Sequence, residues 1–144
     1  MRKIALLVAI VILGTASFAA APGKLAVGTS LGWGTLAYQF SPELSGSLGI
    51  SNTSGGASMT GILLKVDYAL AKSGKVQPTI GGYYTTNGAA AATTTFGVVW
   101  GVATMVETNL SLGADIVVFS STSVGGASTT NILPYATLSA AYSL

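Results

Sequence analysis

The chain has 144 residues, of which 50% are hydrophobic and only 7% are charged, and it contains neither cysteine nor histidine. Ordinary soluble domains carry about 25% charged residues, so this composition is unusual for a protein surrounded by water. The missing cysteines exclude a disulfide framework and a thiolate nucleophile, and the missing histidines remove the commonest metal ligand and general base.

The N-terminal segment predicts a cleavable signal peptide. It begins with two cations, continues as an apolar run over residues 4–14, and places the small residues Ser17 and Ala19 where a signal peptidase reads them. A transmembrane anchor would need about 20 apolar residues, and this run is interrupted before that length. We therefore expect residues 1–19 to be removed, leaving residues 20–144 as one domain.

Removal of the signal peptide changes the charge balance. The net charge of +2 comes from Arg2 and Lys3. The remaining four lysines and four carboxylates cancel, and they are Lys24, Lys65, Lys72, Lys75, Glu43, Asp67, Glu107 and Asp115. A mature domain without net charge or a basic patch does not favour a nucleic-acid partner.

Beyond residue 24, apolar residues alternate with small or polar residues, a period of two that predicts β-strands. In the first segment the alternation places Leu31 and Trp33 on the same outward face as Leu25 and Val27. Eight segments follow this pattern, at residues 25–33, 36–40, 44–51, 62–70, 77–84, 96–103, 110–118 and 135–144.

The connections between these segments are of two kinds that alternate along the chain. Short, charged turns occupy residues 41–43, 72–75 and 107–109. Longer, uncharged connections occupy residues 52–59, 87–93 and 121–130, and only the first connection on that side, at residues 32–34, is tight. This alternation is typical of an up-and-down barrel with both termini at the short-turn end.

In lipid, only helices and closed barrels satisfy every backbone hydrogen-bonding group. An even number of strands lets the last strand, which ends at the chain terminus, pair with the first and remove the free edge. The sequence therefore predicts an all-β protein, an eight-stranded antiparallel up-and-down transmembrane β-barrel preceded by a signal peptide. A soluble β-sandwich is the alternative, because it would also alternate apolar and polar positions.

Aromatic residues on the predicted outward face gather near the two strand ends, as expected for membrane interfaces. The set comprises Trp33, Tyr84 and Phe96 near the end opposite the short, charged turns, and Tyr38, Phe40, Tyr68 and Tyr142 near the short-turn end.

The segment Tyr38–Leu44, with its Ser-Pro turn, and the alternating C-terminal strand resemble the small eight-stranded outer-membrane barrels of the OmpA and OmpX type. The resemblance covers residues 24–144. It implies the outer membrane of a double-membraned bacterium as the location, outer-membrane lipid as surroundings, and the barrel-assembly machinery and periplasmic chaperones as partners during biogenesis. It also implies that the terminal strand carries an assembly signal at Leu138, Ala140, Tyr142 and Leu144.

Three charged residues fall on the inward face at similar heights. Lys65 and Asp67 lie two residues apart, and Asp115 lies on a later strand. Because an unpaired charge inside a narrow barrel would be costly, we expect these three to form an interior ion cluster. The cluster is either a salt bridge that fills the lumen or a gate for small solutes.

The inward face is otherwise rich in glycine and serine, which predicts an underfilled interior, since eight strands enclose just enough room for side chains. We expect Tyr83, Phe119 and Tyr135, together with water, to occupy that space.

The residues available for chemistry do not favour an enzyme. Outer-membrane deacylases and proteases use histidine with serine or aspartate, and this chain has no histidine. We expect no catalytic residue, cofactor or metal. The expected function is a small non-enzymatic outer-membrane protein with a structural role. The alternatives are a narrow pore or conduit for small or apolar solutes, and a surface adhesion protein.

Overall fold

The structure is a computed structural model that describes residues 23–55, 57–71, 75–88, 92–133 and 135–144. The predicted signal peptide and most of the predicted turn at residues 72–75 lie outside the described residues.

The described residues form nine strands and no helix long and apolar enough to cross a membrane. The strands are β1 (Leu25–Ser30), β2 (Trp33–Gln39), β3 (Leu44–Gly55), β4 (Ala57–Ala69), β5 (Val76–Asn87), β6 (Thr93–Met105), β7 (Leu110–Val124), β8 (Ala127–Ile132) and β9 (Ala136–Ser143).

The strands close into an antiparallel barrel. Each strand from β1 to β7 pairs with the next, β7 pairs with β9, and β9 pairs with β1. The predicted all-β, eight-stranded antiparallel barrel is therefore confirmed. We call the end that carries residues 40–43 and 106–109 the short-turn end, and the opposite end the hairpin end.

The pairing register sets the tilt of the strands. Ala140 pairs with Leu112 of β7, and the pairings followed from Ala140 through β1 to β6 return to β7 at Ser123. Ser123 lies eleven residues beyond Leu112, and one of the eleven is Val118, which is bulged out of register. A stagger of ten residues at about 3.3 Å each, over eight spacings of about 4.8 Å, gives a tilt of roughly 40°.

The predicted loop at residues 121–130 is a hairpin instead. β7 continues to Val124, which pairs with Ala127 of β8. Gly125 and Gly126 connect them with φ of 56° and 89°, as a two-residue type I′ turn requires. The pattern missed this hairpin because its residues are polar on both faces. For the same reason the predicted loop at residues 52–59 is also paired, as far as Gly55 with Ala57.

The eighth position of the barrel is filled by two strands, not one. β8 pairs with the part of β7 nearer the hairpin end, from Phe119 to Val124. β9 pairs with the part nearer the short-turn end, from Leu110 to Ile116. Both run antiparallel to β7, and the ladder is interrupted between them near Leu133, whose φ is 50°.

The first hairpin turns earlier than the alternation predicted. Leu31 and Gly32 have φ of 54° and 82°, so they form a two-residue turn between Ser30 and Trp33, which pair with each other. The turn resets the alternation, because Ser30 faces inward and its partner Trp33 shares that face. The predicted outward positions of Leu31 and Trp33 are therefore wrong.

We expect Gly32→Ala to lower the free energy of unfolding by about 1–2 kcal/mol, because a Cβ is unfavourable in the left-handed region. No atom lies within 4 Å of the position of that Cβ, so the effect isolates backbone strain. Urea unfolding of the refolded barrel measures it. Gly34→Ala is the matched control, since its Cβ would meet only Ile50 O at 3.8 Å. Equal losses in both variants would contradict the turn assignment.

Candidate functional site

The outer face of the barrel is apolar. Large hydrophobic side chains occupy alternate positions on every barrel strand and are 38–84% exposed. In an ordinary soluble protein these side chains would form the core. The outer belt comprises Leu25, Val27, Leu36, Tyr38, Leu44, Leu48, Ile50, Ile62, Leu64, Val66, Tyr68, Leu70, Val76, Ile80, Tyr84, Phe96, Val98, Trp100, Leu112, Ile116, Val118, Leu138 and Tyr142.

The inner face carries most of the buried polar groups. Among the residues whose side chains the structure describes, thirteen polar or charged ones are buried: Ser30, Thr35, Gln39, Ser45, Ser47, Lys65, Asp67, Thr79, Ser111, Asp115, Ser120, Ser139 and Ser143. The two faces together therefore have the reverse of the usual arrangement, with polar groups inside and apolar groups outside.

The structure brings Lys65, Asp67 and Asp115 together inside the barrel. Lys65 Nζ lies 3.1 Å from Asp67 Oδ1 and donates a hydrogen bond of 3.0 Å to Asp115 Oδ2. All three side chains are at most 7% exposed. Strands β5 and β6 separate β4 from β7, so the lysine side chain crosses the interior to reach Asp115. We call these three residues the ion cluster.

Two glycines make room for the carboxylates of the ion cluster. A Cβ on Gly81 would lie 2.3 Å from Asp67 Oδ1, and a Cβ on Gly101 would lie 2.3 Å from Asp115 Oδ1. Neither distance is compatible with a side chain. Inward glycines predicted an underfilled interior. At these two positions, however, the side chain of a neighbouring strand fills the space that the glycine leaves.

An apolar cluster lies beside the ion cluster, toward the hairpin end. It consists of Leu31, Leu63, Tyr83, Val99 and Val117, all at most 8% exposed, with Trp33 packed against it. The two clusters adjoin, because Leu63 and Lys65 are successive inward residues of β4 and Tyr83 is the cross-strand partner of Lys65.

Trp33 contributes to this inner cluster and not to the membrane-interface aromatics. Its indole ring lies over Gly61, where a Cβ would come within 2.5 Å of the ring. The tight turn before Trp33, described above, is the reason for its inward position.

The other predicted interface aromatics all lie on the outer face, with 39–59% of each side chain exposed: Tyr38, Phe40, Tyr68, Tyr84, Phe96 and Tyr142. Tyr38 and Phe40 pack edge to face with ring centroids 5.1 Å apart.

The three aromatics expected inside the barrel have different positions. Tyr83 is buried, and its hydroxyl faces those of Tyr135 and Ser120. Tyr135 itself is 44% exposed. Phe119 is on the outward face, because the bulge at Val118 reverses the parity of β7, and it packs 6.0 Å from Phe96. Its predicted inward position is wrong.

The residues of the predicted assembly signal lie on the strand that closes the barrel. Leu138, Tyr142 and Leu144 are exposed on the outer face, and the Leu144 amide donates to Leu25 O at 3.0 Å. Ala140 is only 3% exposed, since its small side chain lies between the neighbouring strands, opposite Thr29 and Leu112.

The turn carboxylates lie apart from the interior. Glu43 and Glu107 are exposed at the short-turn end, and Glu43 accepts a hydrogen bond from Ser41 Oγ at 3.1 Å. Within the described part of the chain, no group of three or more His, Cys, Asp or Glu residues could hold a metal ion.

Comparison with known proteins identifies no relative. No protein-family model, curated protein or solved structure matches the chain.

The apolar cluster is the feature that the strand pattern missed. Doublets of apolar residues were the available signal, because two adjacent apolar residues in a strand place one on each face. Leu63-Leu64, Val98-Val99 and Val117-Val118 are such doublets, and each contributes one residue to the cluster.

We expect Lys65→Met to destabilise the barrel by about 3–5 kcal/mol, because it leaves two buried carboxylates without their cation. Urea unfolding of the refolded protein measures the change. Lys75→Met removes the same charge from an exposed position and should change stability by no more than about 0.5 kcal/mol. Similar small effects in both variants would mean that water already solvates the two carboxylates.

Proposed function

We propose that this protein is a small, non-enzymatic β-barrel of the bacterial outer membrane, built like the OmpA and OmpX type, with a structural role in that membrane. The reversal of the two faces is the observation that supports the proposal. An apolar belt around the whole barrel would be costly in water, and hydrocarbon is the surrounding that removes this cost.

The height of the belt supports the same proposal. Outward apolar residues run from Ile62 on β4 to Leu70 just after it, and at a tilt of roughly 40° this span rises about 20 Å. The apolar band of known outer-membrane barrels is about 25 Å tall and is flanked by aromatic residues. Tyr68 lies two residues before Leu70, at the short-turn end of this span, where such an aromatic is expected.

Export and assembly belong to the proposal. Residues 1–19 would direct the chain across the inner membrane, and the terminal strand, with Tyr142 and Leu144 outward, would be recognised by the barrel-assembly machinery. Periplasmic chaperones would protect the apolar belt before insertion.

The packing of the interior favours a structural role over a pore. A solute moving along the axis would have to pass the apolar cluster and then the ion cluster, which adjoin each other. Within the ion cluster, Lys65 crosses the lumen from β4 to Asp115 on β7. Within the apolar cluster, Tyr83 occupies the space beside Gly97, where a Cβ would lie 2.6 Å from the ring.

We expect the mature protein to fractionate with the outer membrane and to migrate faster on SDS gels when unheated, because a closed barrel keeps its hydrogen-bonded ring until heated.

Leu64→Lys should reduce insertion and destabilise the barrel in lipid vesicles by about 2–4 kcal/mol, since Leu64 lies in the middle of the apolar belt. Ser128→Lys, on the exposed strand β8, is the matched control and should insert normally. A soluble monomer that tolerates Leu64→Lys would contradict the proposal.

We expect no channel openings in planar bilayers for the wild-type protein or for Lys65→Ala, because the apolar cluster still closes the lumen after the lysine is removed. Single-channel recording of refolded protein tests this, with a known porin as the positive control. Discrete openings in the wild type would favour the pore alternative, and openings confined to Lys65→Ala would make the ion cluster its gate.

A further inference from the structure

One strand at the hairpin end has a free edge. β8 pairs with β7 on one side and with no other described strand, so it ends the order of the sheet. β8 shares its barrel position with β9, whose other neighbour is β1, but β1 ends at Ser30 and the chain turns back there. The free edge of β8 therefore faces an open space above the turn between β1 and β2.

The pairing shows which backbone groups lie along this free edge. Leu133 N donates to Val118 O at 3.1 Å, and in an antiparallel ladder the hydrogen-bonded pairs recur at every second residue. Odd-numbered residues of β8 therefore bond to β7. The N–H and C=O groups that point along the free edge are those of Ser128, Thr130 and Ile132. All of β8 is exposed, so these groups form a template for a further strand.

The free edge lacks the features that usually prevent one sheet edge from pairing with another. The strand β8 contains no charged residue and no proline, and it pairs with β7 without a bulge. The exposed charged residues of the described chain lie at or next to the short-turn end, and they are Lys24, Glu43, Lys75 and Glu107. A second copy would therefore approach the hairpin end without repulsion between like charges.

The rim of the barrel at the hairpin end has a high side and a low side. On the high side β7 continues from Ile116, its last pair with β9, as far as Val124. On the low side β1 ends at Ser30, directly after Thr29, its last pair with β9. Rotation by half a turn about a line through the free edge and the barrel axis places the low side of one copy opposite the high side of the other. The rim is therefore complementary to itself.

We propose that the free edge of β8 binds the free edge of β8 in a second copy of this chain, as an antiparallel pair of strands related by a two-fold axis. Each copy then supplies the donors and acceptors that the other requires. The rotation reverses the barrel axis, so the two barrels meet hairpin end to hairpin end. Self-pairing depends on the barrel alone. Its consequence, contact between two facing membranes, rests on the proposed membrane location.

Sedimentation equilibrium of the refolded mature protein in zwitterionic micelles tests the self-pairing. We expect a dimer whose fraction rises with protein concentration. Thr130→Pro removes one edge N–H from each copy, so two hydrogen bonds are lost and the dissociation constant of the dimer should rise about tenfold or more. Ser128→Pro should act in the same way, so misfolding of one variant leaves the test intact. Thr130→Val keeps the N–H and is the matched control, which should dimerise like the wild type.

A distance measurement tests the orientation of the two copies. The chain has no cysteine, so Glu107→Cys gives a single site for a spin label, at an exposed position of the short-turn end. At a tilt of roughly 40°, the 15 residues of β7 span about 38 Å of the barrel axis and the 6 residues of β8 span about 15 Å. Two barrels that overlap only through β8 should therefore hold the two labels at least about 60 Å apart.

Vesicles test the contact between facing membranes. Vesicles that carry the wild-type barrel with its hairpin end outward should cluster, and vesicles that carry Thr130→Pro should not. Dimers in micelles without clustering of vesicles would refute the contact between membranes. Failure to insert into vesicles would contradict the membrane location, whereas the micelle experiment would still decide the self-pairing.

Three results would overturn the self-pairing. One is a wild-type protein that stays monomeric in micelles at every protein concentration. Another is equal dimerisation of Thr130→Pro and Thr130→Val, with unheated SDS gels showing that both barrels are closed. The third is a label distance close to one barrel diameter, which would place the two barrels side by side.

Discussion

Closure of the hydrogen-bonded ring between β1 and β9 is the constraint on which the rest of this structure depends. Only four residue pairs, from Ala26 with Ser143 to Thr29 with Ala140, join these two strands. They nevertheless close the sheet into a ring and so divide the molecule into an inside and an outside. Strict alternation along the strands then sends apolar side chains to one side and polar ones to the other. The apolar belt and the buried ion cluster are both consequences of this closure.

The narrowness of the closed ring explains the composition of its interior. Eight strands leave little room, and several large inward side chains lie over a glycine of a neighbouring strand. Asp67 lies against Gly81, Asp115 against Gly101, and the Tyr83 ring against Gly97. The abundance of glycine is thus a requirement of interior packing. The same narrowness lets Lys65 span the lumen and contact a strand that is not its neighbour.

Much of the architecture follows from the sequence because a period of two is a local property. The clearest strands, such as the one carrying Ile62 to Leu70, were predicted with their correct faces. The turn at Leu31 and Gly32 was missed because an apolar residue occupied a position with positive φ. The bulge at Val118 was missed because a bulge depends on the partner strand. Each irregularity shifts the alternation of faces by one residue. Trp33 and Phe119 therefore lie on the face opposite to the one predicted.

The sequence by itself determined the fold class, the antiparallel order of the strands and the inward position of Lys65, Asp67 and Asp115, since strand alternation assigns a face without knowledge of the neighbours. Only the tertiary structure decided which side chains meet inside the barrel. Contacts across the lumen depend on the stagger of the whole ring and on the bulge in β7, and these are set by pairings between residues far apart in the chain. The apolar cluster and the carboxylate positions over glycines could therefore be seen only after the ring was closed.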